Sequence, residues 1–383
     1  MKRNINILKT LIISLSVTSL VACTSPNVDD ESIQGTVTPA DNVLGSDNSD
    51  TGNSDTNTSD ASGASNVDSS SESASADEGA DETSDSSAED ESTTSNASTT
   101  ATTIYRDPIS NNEPIKDGYL NVVFLGDEQF LTGESEGNTI PELLTNRFDY
   151  TNIYNLAIEG TTGAIPRSQT STNLSDYEEP NFTAMAHVLT GDIKISALGD
   201  KVSDEVSSTC SKIDVSTVDY YVIGYGFYDY YNGIESINEN NPKDEHSLYG
   251  AIITGIETLQ EVSPNAQYIV CSPYYCRFYD ENGADIGDAF SVTKGLQTLA
   301  VYADKTVLAA EQCYNTLKMP AISGTLFDLN GHTYTEYLES DGQTLNLKGR
   351  RIYTDALAKV IKYHLGLIGE EEFNTTITIA DYT

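Results

Sequence analysis

Leu120-Asn121-Val122-Val123-Phe124-Leu125-Gly126-Asp127-Glu128-Gln129-Phe130 is the stretch on which the fold turns. A short, nearly continuous apolar run that stops at glycine and two acids describes a strand buried on both faces and ending in a turn. Three later runs repeat the pattern. Asn152 to Ile158 ends in Glu159-Gly160, Tyr220-Tyr221-Val222-Ile223 ends in Gly224, and Tyr268-Ile269-Val270-Cys271 is followed by the turn Ser272-Pro273. Helical spacing of apolar residues runs through Ser247 to Val262, Leu296 to Leu317 and Leu347 to Leu365. Buried strands alternating with amphipathic helices imply a parallel sheet covered on both faces, hence one α/β domain over 104–383.

Upstream of that domain the composition changes. The chain has 383 residues, 59 acidic against 20 basic side chains, a net charge of −39, 38% hydrophobic residues and no tryptophan. Residues 24–103 hold 18 of the acids and no Lys or Arg, among Ser, Thr, Asn, Gly and Ala. No apolar periodicity is present there to offset the entropy of ordering a backbone, so the segment reads as a disordered spacer. As a flexible coil it would span roughly 50 Å.

The first 23 residues read as a lipoprotein signal. Lys2, Arg3 and Lys9 precede a diluted apolar stretch from Leu11 to Ala22, too short to span a bilayer. It ends in Leu20-Val21-Ala22-Cys23, which resembles a bacterial lipobox. That resemblance implies cleavage before Cys23 and lipid on Cys23, placing the protein on the extracellular face of the bacterial cell membrane, anchored to it rather than spanning it. The acidic balance argues against nucleic-acid binding and against electrostatic docking on anionic headgroups. Cys210, Cys271, Cys276 and Cys313 allow three pairings, and free buried thiols are the simpler reading. His187, His246, His332 and His364 are scattered, so no metal site and no cofactor is expected.

Ligands of parallel α/β sheets collect beyond the carboxyl ends of the strands. Four segments fall there or before the last helix: Gly126-Asp127-Glu128, Ile158-Glu159-Gly160-Thr161, Gly226-Phe227-Tyr228-Asp229, and Glu339-Ser340-Asp341-Gly342-Gln343-Thr344. In this order they resemble the four sequence blocks of the SGNH (GDSL) hydrolases, over residues 120 to 365. The resemblance implies a three-layer α/β/α sandwich with a flavodoxin-like, five-stranded parallel sheet. It also implies ester hydrolysis by a serine, with an oxyanion hole built from a glycine amide and an asparagine, and a histidine base oriented by aspartate. Carried over residue by residue, the serine position is Glu128, the glycine is Gly160, the asparagine position is Tyr228, the aspartate is Asp341 and the histidine position is Thr344.

Those replacements remove the parts that acyl transfer needs. Glu128 offers a carboxylate in place of a hydroxyl, and Thr344 cannot accept a proton near pH 7. Loss of one oxyanion donor alone costs roughly 10²–10³ in rate. The expectation is therefore a scaffold no longer used for serine chemistry. Asp127, Tyr225, Asp229 and Tyr230 are the candidate binding residues at the mouth, because aromatic rings beside carboxylates suit a cell-wall or plant polysaccharide. Two enzymatic alternatives stand beside this: an esterase or deacetylase working through non-standard residues such as Ser135, and a glycan hydrolase using paired carboxylates among Asp127, Glu128, Asp229 and Asp341. The same acids could also hold Ca²⁺.

Overall fold

The computed structural model describes residues 118–295 and 297–382. The signal with Cys23, the spacer 24–103 and the first residues of the expected domain, 104–117, lie outside the described residues. The chain forms β1 (Leu120–Gly126), β2 (Thr151–Asn155), β3 (Tyr220–Gly224) and β4 (Gln267–Cys271). Two short antiparallel pairs follow, β5 (Arg277–Tyr279) with β6 (Asp285–Asp288) and β7 (Thr293–Lys294) with β8 (Gln297–Thr298), before β9 (Thr316–Met319). The main sheet has the order β2-β1-β3-β4-β9, with every pairing parallel. This is the expected five-stranded α/β architecture.

The burial of each strand follows from its place in that order. β1 and β4 are buried at every position, whereas the edge strand β2 is half-buried throughout. In the centre, Tyr221 of β3 stacks on its register partner Tyr268 of β4, with ring centroids 5.3 Å apart. Their hydroxyls both end at Ser263, one on its side chain at 2.8 Å and one on its carbonyl at 2.9 Å. Tyrosine can thus fill a strand interior because a polar terminus waits at the rim.

Helices cover both faces. α2 (Phe182–Thr190), α5 (Leu248–Val262) and α6 (Leu299–Ala310) pack in succession, and α1 (Ile140–Leu144) packs on α8 (Leu347–His364). Local signals set their starts. Thr139 and Glu142 close a capping box on α1, Ser247 caps α5 through the Gly250 N–H, and Asn346 caps α8 through the Gly349 N–H at 2.9 Å. Among the described residues no helix is long and apolar enough to cross a membrane. Cys210, Cys271, Cys276 and Cys313 are all unpaired.

Two boundaries differ from the sequence reading. The helix expected over Leu296 to Leu317 is α6 alone, Leu299–Ala310, and Leu317 belongs to β9. Asn315, at φ 53°, turns the chain between them, a conformation asparagine tolerates better than most residues. The strand expected to reach Ile158 ends at Asn155, but Leu156 and Ile158 still donate backbone hydrogen bonds to Phe124 and Gly126.

Between β1 and β3 the sheet order reverses, which opens the crevice where ligands of such sheets bind. Its floor is a close contact between strand ends. A Cβ on Gly126 would lie 2.7 Å from the Gly224 carbonyl oxygen and 2.7 Å from the Phe130 ring, and one on Gly224 would lie 2.6 Å from the same ring. Gly126→Ala is therefore expected to cost about 1–3 kcal/mol through overpacking. Urea unfolding reads this as a lowered midpoint, and an unchanged midpoint would contradict the packing described.

Candidate active-site crevice

Glu128 owes its position to the turn that follows β1. Asp127 caps the 3-10 turn Glu128–Phe130, its Oδ1 accepting the Gln129 N–H at 3.1 Å, while the Phe130 ring drops under Gly126 and Gly224. The Glu128 side chain is thereby presented at the carboxyl end of the sheet. Opposite it, the loop after β2 turns at Gly160, in the left-handed region at φ 72°. The Gly160 N–H points at Glu128 Oε2, 3.4 Å away. The Tyr228 side chain, on α4 (Phe227–Tyr231), lies beside the same carboxyl group. Glu128, Gly160 and Tyr228 therefore meet.

Asp229 fixes how the loops after β2 and β3 sit on each other. It is fully buried, and its two oxygens accept the Gly163 and Ala164 N–H groups at 2.8 and 2.9 Å. Gly226, at φ 124°, starts α4 against Pro273, whose ring a Cβ would meet at 2.9 Å. The fourth segment is a self-contained turn. Asp341 accepts the Gln343 N–H, the Thr344 N–H and the Thr344 hydroxyl at 2.8, 2.9 and 2.6 Å. It joins the first segment through Tyr274, whose hydroxyl reaches Gln129 Oε1 and, at 2.7 Å, the Gln343 carbonyl. The immediate neighbours of Glu128 and Thr344 are thus bridged by one tyrosine.

The expected binding residues are placed differently from the expectation. Tyr225 and Tyr230 do not line an open mouth. Tyr225 is buried against Phe182, and Tyr230 is buried among Tyr231, Phe278 and Tyr302 with its hydroxyl on the Val292 carbonyl. Asp127 and Asp229 are buried too, with oxygens committed to backbone N–H groups. The physical reason is the short α4, which turns one face of Phe227–Tyr231 into the core and leaves Tyr228 and Tyr231 half-buried at the crevice. Sequence crowding by aromatic residues could not separate those faces, although the helical spacing of Tyr228 and Tyr231 is a signal that could have.

Electrostatics around Glu128 are those of a carboxyl group taken out of water. Burial pushes its pKa up, while its own turn's N–H, Tyr228 and Gly160 pull it back. Asp127 is raised well above the carboxylate range by burial and then by the charge of Glu128. Burial lifts Asp229 to about 6 against the pull of the Ala164 and Gly163 N–H groups. Asp341 is also partly desolvated, but its hydrogen bonds from Thr344 and Gln343 outweigh that and hold it low.

The chemistry open to this arrangement is narrow. No histidine hydrogen-bonds to the crevice: His187 pairs with Asp192, His246 with Asp244 and the Gln169 carbonyl, His364 with the Tyr220 hydroxyl, and His332 is exposed on another loop. Ser135 is exposed on the next turn, Glu134–Glu136, without a hydrogen bond to the crevice. Among the paired carboxylates, Asp127 and Asp229 are buried and hydrogen-bonded to backbone, and Asp341 accepts three bonds in its own turn, which ill suits a general acid. Among the described residues no group of three or more His, Cys, Asp or Glu is placed to hold a metal ion. A void of about 20 Å³ lined by Asp127, Gln129, Tyr274 and Tyr353 has room for one water.

No family model and no curated protein matches this chain. Solved structures similar to it include one described as a GDSL-like lipase from Parabacteroides merdae, at 15% identity over 65% of this chain and 96% of that one, with a TM-score of 0.39. Another is described as a possible lipase from Chitinophaga pinensis, at 16% identity over 65% and 100%, TM-score 0.42. A third is a carbohydrate esterase family 2 enzyme with a carbohydrate-binding domain from Corynascus thermopiles, at 16% identity over 64% and 67%, TM-score 0.39. At these identities and TM-scores the likenesses decide nothing about this chain, whose α/β architecture rests on its own strand order. The chemistry of this crevice belongs to its own residues.

Two buried carboxyl groups with raised pKa values make stability depend on pH. The unfolded chain releases these protons near pH 3.9, whereas the folded chain holds that of Asp229 to about pH 6, and burial raises Asp127 well above its ordinary value as well. The folded state binds more protons across that interval, so stability is greatest below it and falls as pH rises through it. The urea midpoint is expected to be higher at pH 5 than at pH 7.5, and Asp127→Asn should reduce the difference. A midpoint that rises from pH 5 to 7.5 would contradict this assignment.

Proposed function

We propose that this domain is a non-hydrolytic derivative of the SGNH esterase scaffold that binds a polysaccharide of the cell envelope or of plant origin, tethered to the outer face of the membrane through Cys23. One observation carries the loss of hydrolysis: the Glu128 carboxyl group faces the Gly160 N–H at 3.4 Å, with Tyr228 beside it where the family has its second oxyanion donor. In an acyl-transfer site the glycine amide must be free to receive the oxygen on which negative charge develops. Here a side-chain oxygen already sits there. When ionised, it places a fixed charge where the transition state would place its own. With Thr344 bonded to Asp341 in place of a base, neither half of the reaction has its group.

Support for a sugar ligand comes from what faces the crevice. Tyr228 and Tyr231 present half-buried rings 6.0 Å apart, and Glu128 and the exposed Glu159 flank them. Rings give apolar contact to a pyranose face and carboxylates accept its hydroxyls. The low apolar content and high acidity of residues 24–103 suit a solvated spacer between lipid and domain.

The purified protein is expected to leave p-nitrophenyl acetate at its background rate and to remain unlabelled by a fluorophosphonate, while retaining bound glycans on a glycan array. Saturable ester turnover would overturn the reading. Glu128→Ser with Tyr228→Asn and Thr344→His should yield measurable turnover only as a set, because nucleophile, base and oxyanion donor act as a unit. For the tether, palmitate incorporation should disappear in Cys23→Ser, and persistent lipidation of that variant would remove the anchoring claim.

A further inference from the structure

Among the described residues β2 is an edge strand with no strand on its outer side. In the parallel register with β1, Leu120 donates to the Tyr150 carbonyl and Leu156 donates to the Phe124 carbonyl, so residues 150, 152, 154 and 156 turn their backbone groups toward β1. Thr151, Ile153 and Asn155 therefore turn theirs outward, where among the described residues no other strand pairs with β2. Ile153 and Asn155 lie in a groove of about 600 Å³ between α1 and α3 (Asp204–Cys210), with Leu131, Pro141 and Val206 also in its wall.

The groove carries one sign of charge. Glu134, Glu159 and Glu205, from three separate segments, are exposed along it and form no ion pair among the described residues. Lys201, the cation in the lining, is already paired with Glu179 at 2.7 Å. Glu142 has its carboxylate engaged by Thr139 in the α1 capping box.

We propose that the outer edge of β2 is a docking strand for an extended basic peptide segment of another protein, which adds to the sheet beside Ile153 and Asn155. Backbone donors and acceptors at a two-residue repeat match an extended peptide, and strand addition gives affinity through the main chain with specificity from alternate side chains. Apolar side chains meet the wall at Leu131, Pro141 and Val206, and Lys or Arg side chains meet the three unpaired carboxylates. Like charge excludes the two nearest alternatives. The spacer of this same chain carries 18 acids and no base, and a second copy would bring the same acids against themselves. The groove borders the Glu128 crevice at Glu159, but strand addition at Ile153 and Asn155 does not require any activity or ligand in that crevice.

The test uses the full chain and a labelled peptide of four Lys-Val repeats, with four Lys-Pro repeats as a probe of equal charge that cannot pair as a strand. Fluorescence anisotropy is expected to show the Lys-Val peptide binding at least about tenfold more tightly, with hydrogen exchange slowed at the Ile153 and Asn155 amides. Glu134→Gln with Glu205→Gln, both on the surface, should weaken it about three- to tenfold. Ile153→Pro removes an outward N–H and no ladder bond, and should abolish binding. Equal binding of the two peptides would reduce the effect to bulk charge and overturn the proposal. So would unchanged exchange at Ile153 and Asn155 under saturating peptide, or a glucosamine oligomer that displaces the peptide and leaves those amides unprotected.

Discussion

The contact between the Phe130 ring and the two glycines that end β1 and β3 is the constraint on which the crevice depends. Gly126 and Gly224 are register partners in adjacent strands, and the ring fills the space their missing side chains leave. Because the ring goes down, the turn Glu128–Phe130 must start immediately after the strand, and Asp127 caps it. Glu128 is then directed outward at the place where the sheet order reverses. A side chain at either glycine would displace the ring, and with it the residue on which the chemistry turns. β1 lies between β2 and β3 and is buried along its whole length, so only its end is left for function.

Buried carboxyl groups hold the rest of the crevice in register. Asp229 bonds two consecutive amides of the loop after β2 from the helix after β3, so Gly160 and Tyr228 approach Glu128 from fixed directions. Burial discourages ionisation of both Asp127 and Glu128, and the charge of Glu128 raises Asp127 further. Such desolvation lowers stability at neutral pH, and the fold tolerates it through hydrogen bonds to the backbone. Tyr274 supplies the remaining link, to the Asp341 turn. These bonds tie the turn after β1, the loop after β2, α4 and the Asp341 turn into one network around Glu128.

Much of the architecture was legible in the sequence, because central parallel strands are buried on both faces and read as apolar runs. Leu120 to Leu125, Tyr220 to Gly224 and Tyr268 to Cys271 each mark a strand of the sheet. β9 was not legible. Its four residues, Thr316–Met319, are half polar and range from an exposed Lys318 to a fully buried Met319 at the sheet edge, and their apolar positions continue the spacing of α6. At the crevice, the meeting of Glu128, Gly160 and Tyr228 follows from their places beyond strand ends. The aromatic positions failed for a different reason: tyrosine serves core and surface alike, and only the facing of α4 decides that Tyr230 is interior while Tyr228 is not. The open edge of β2 was hidden as well, since strand order cannot be read from apolar periodicity.

The central claim is that the carboxyl group of Glu128 occupies the amide of Gly160. The most direct measurement is the proton chemical shift of that amide, followed by NMR from pH 4 to pH 8 in the wild type and in Glu128→Ala. The account predicts a titration in the wild type with a midpoint above the ordinary glutamate range, and a flat profile in the variant. An amide whose shift is independent of pH in the wild type, or titrates equally in both, would contradict it.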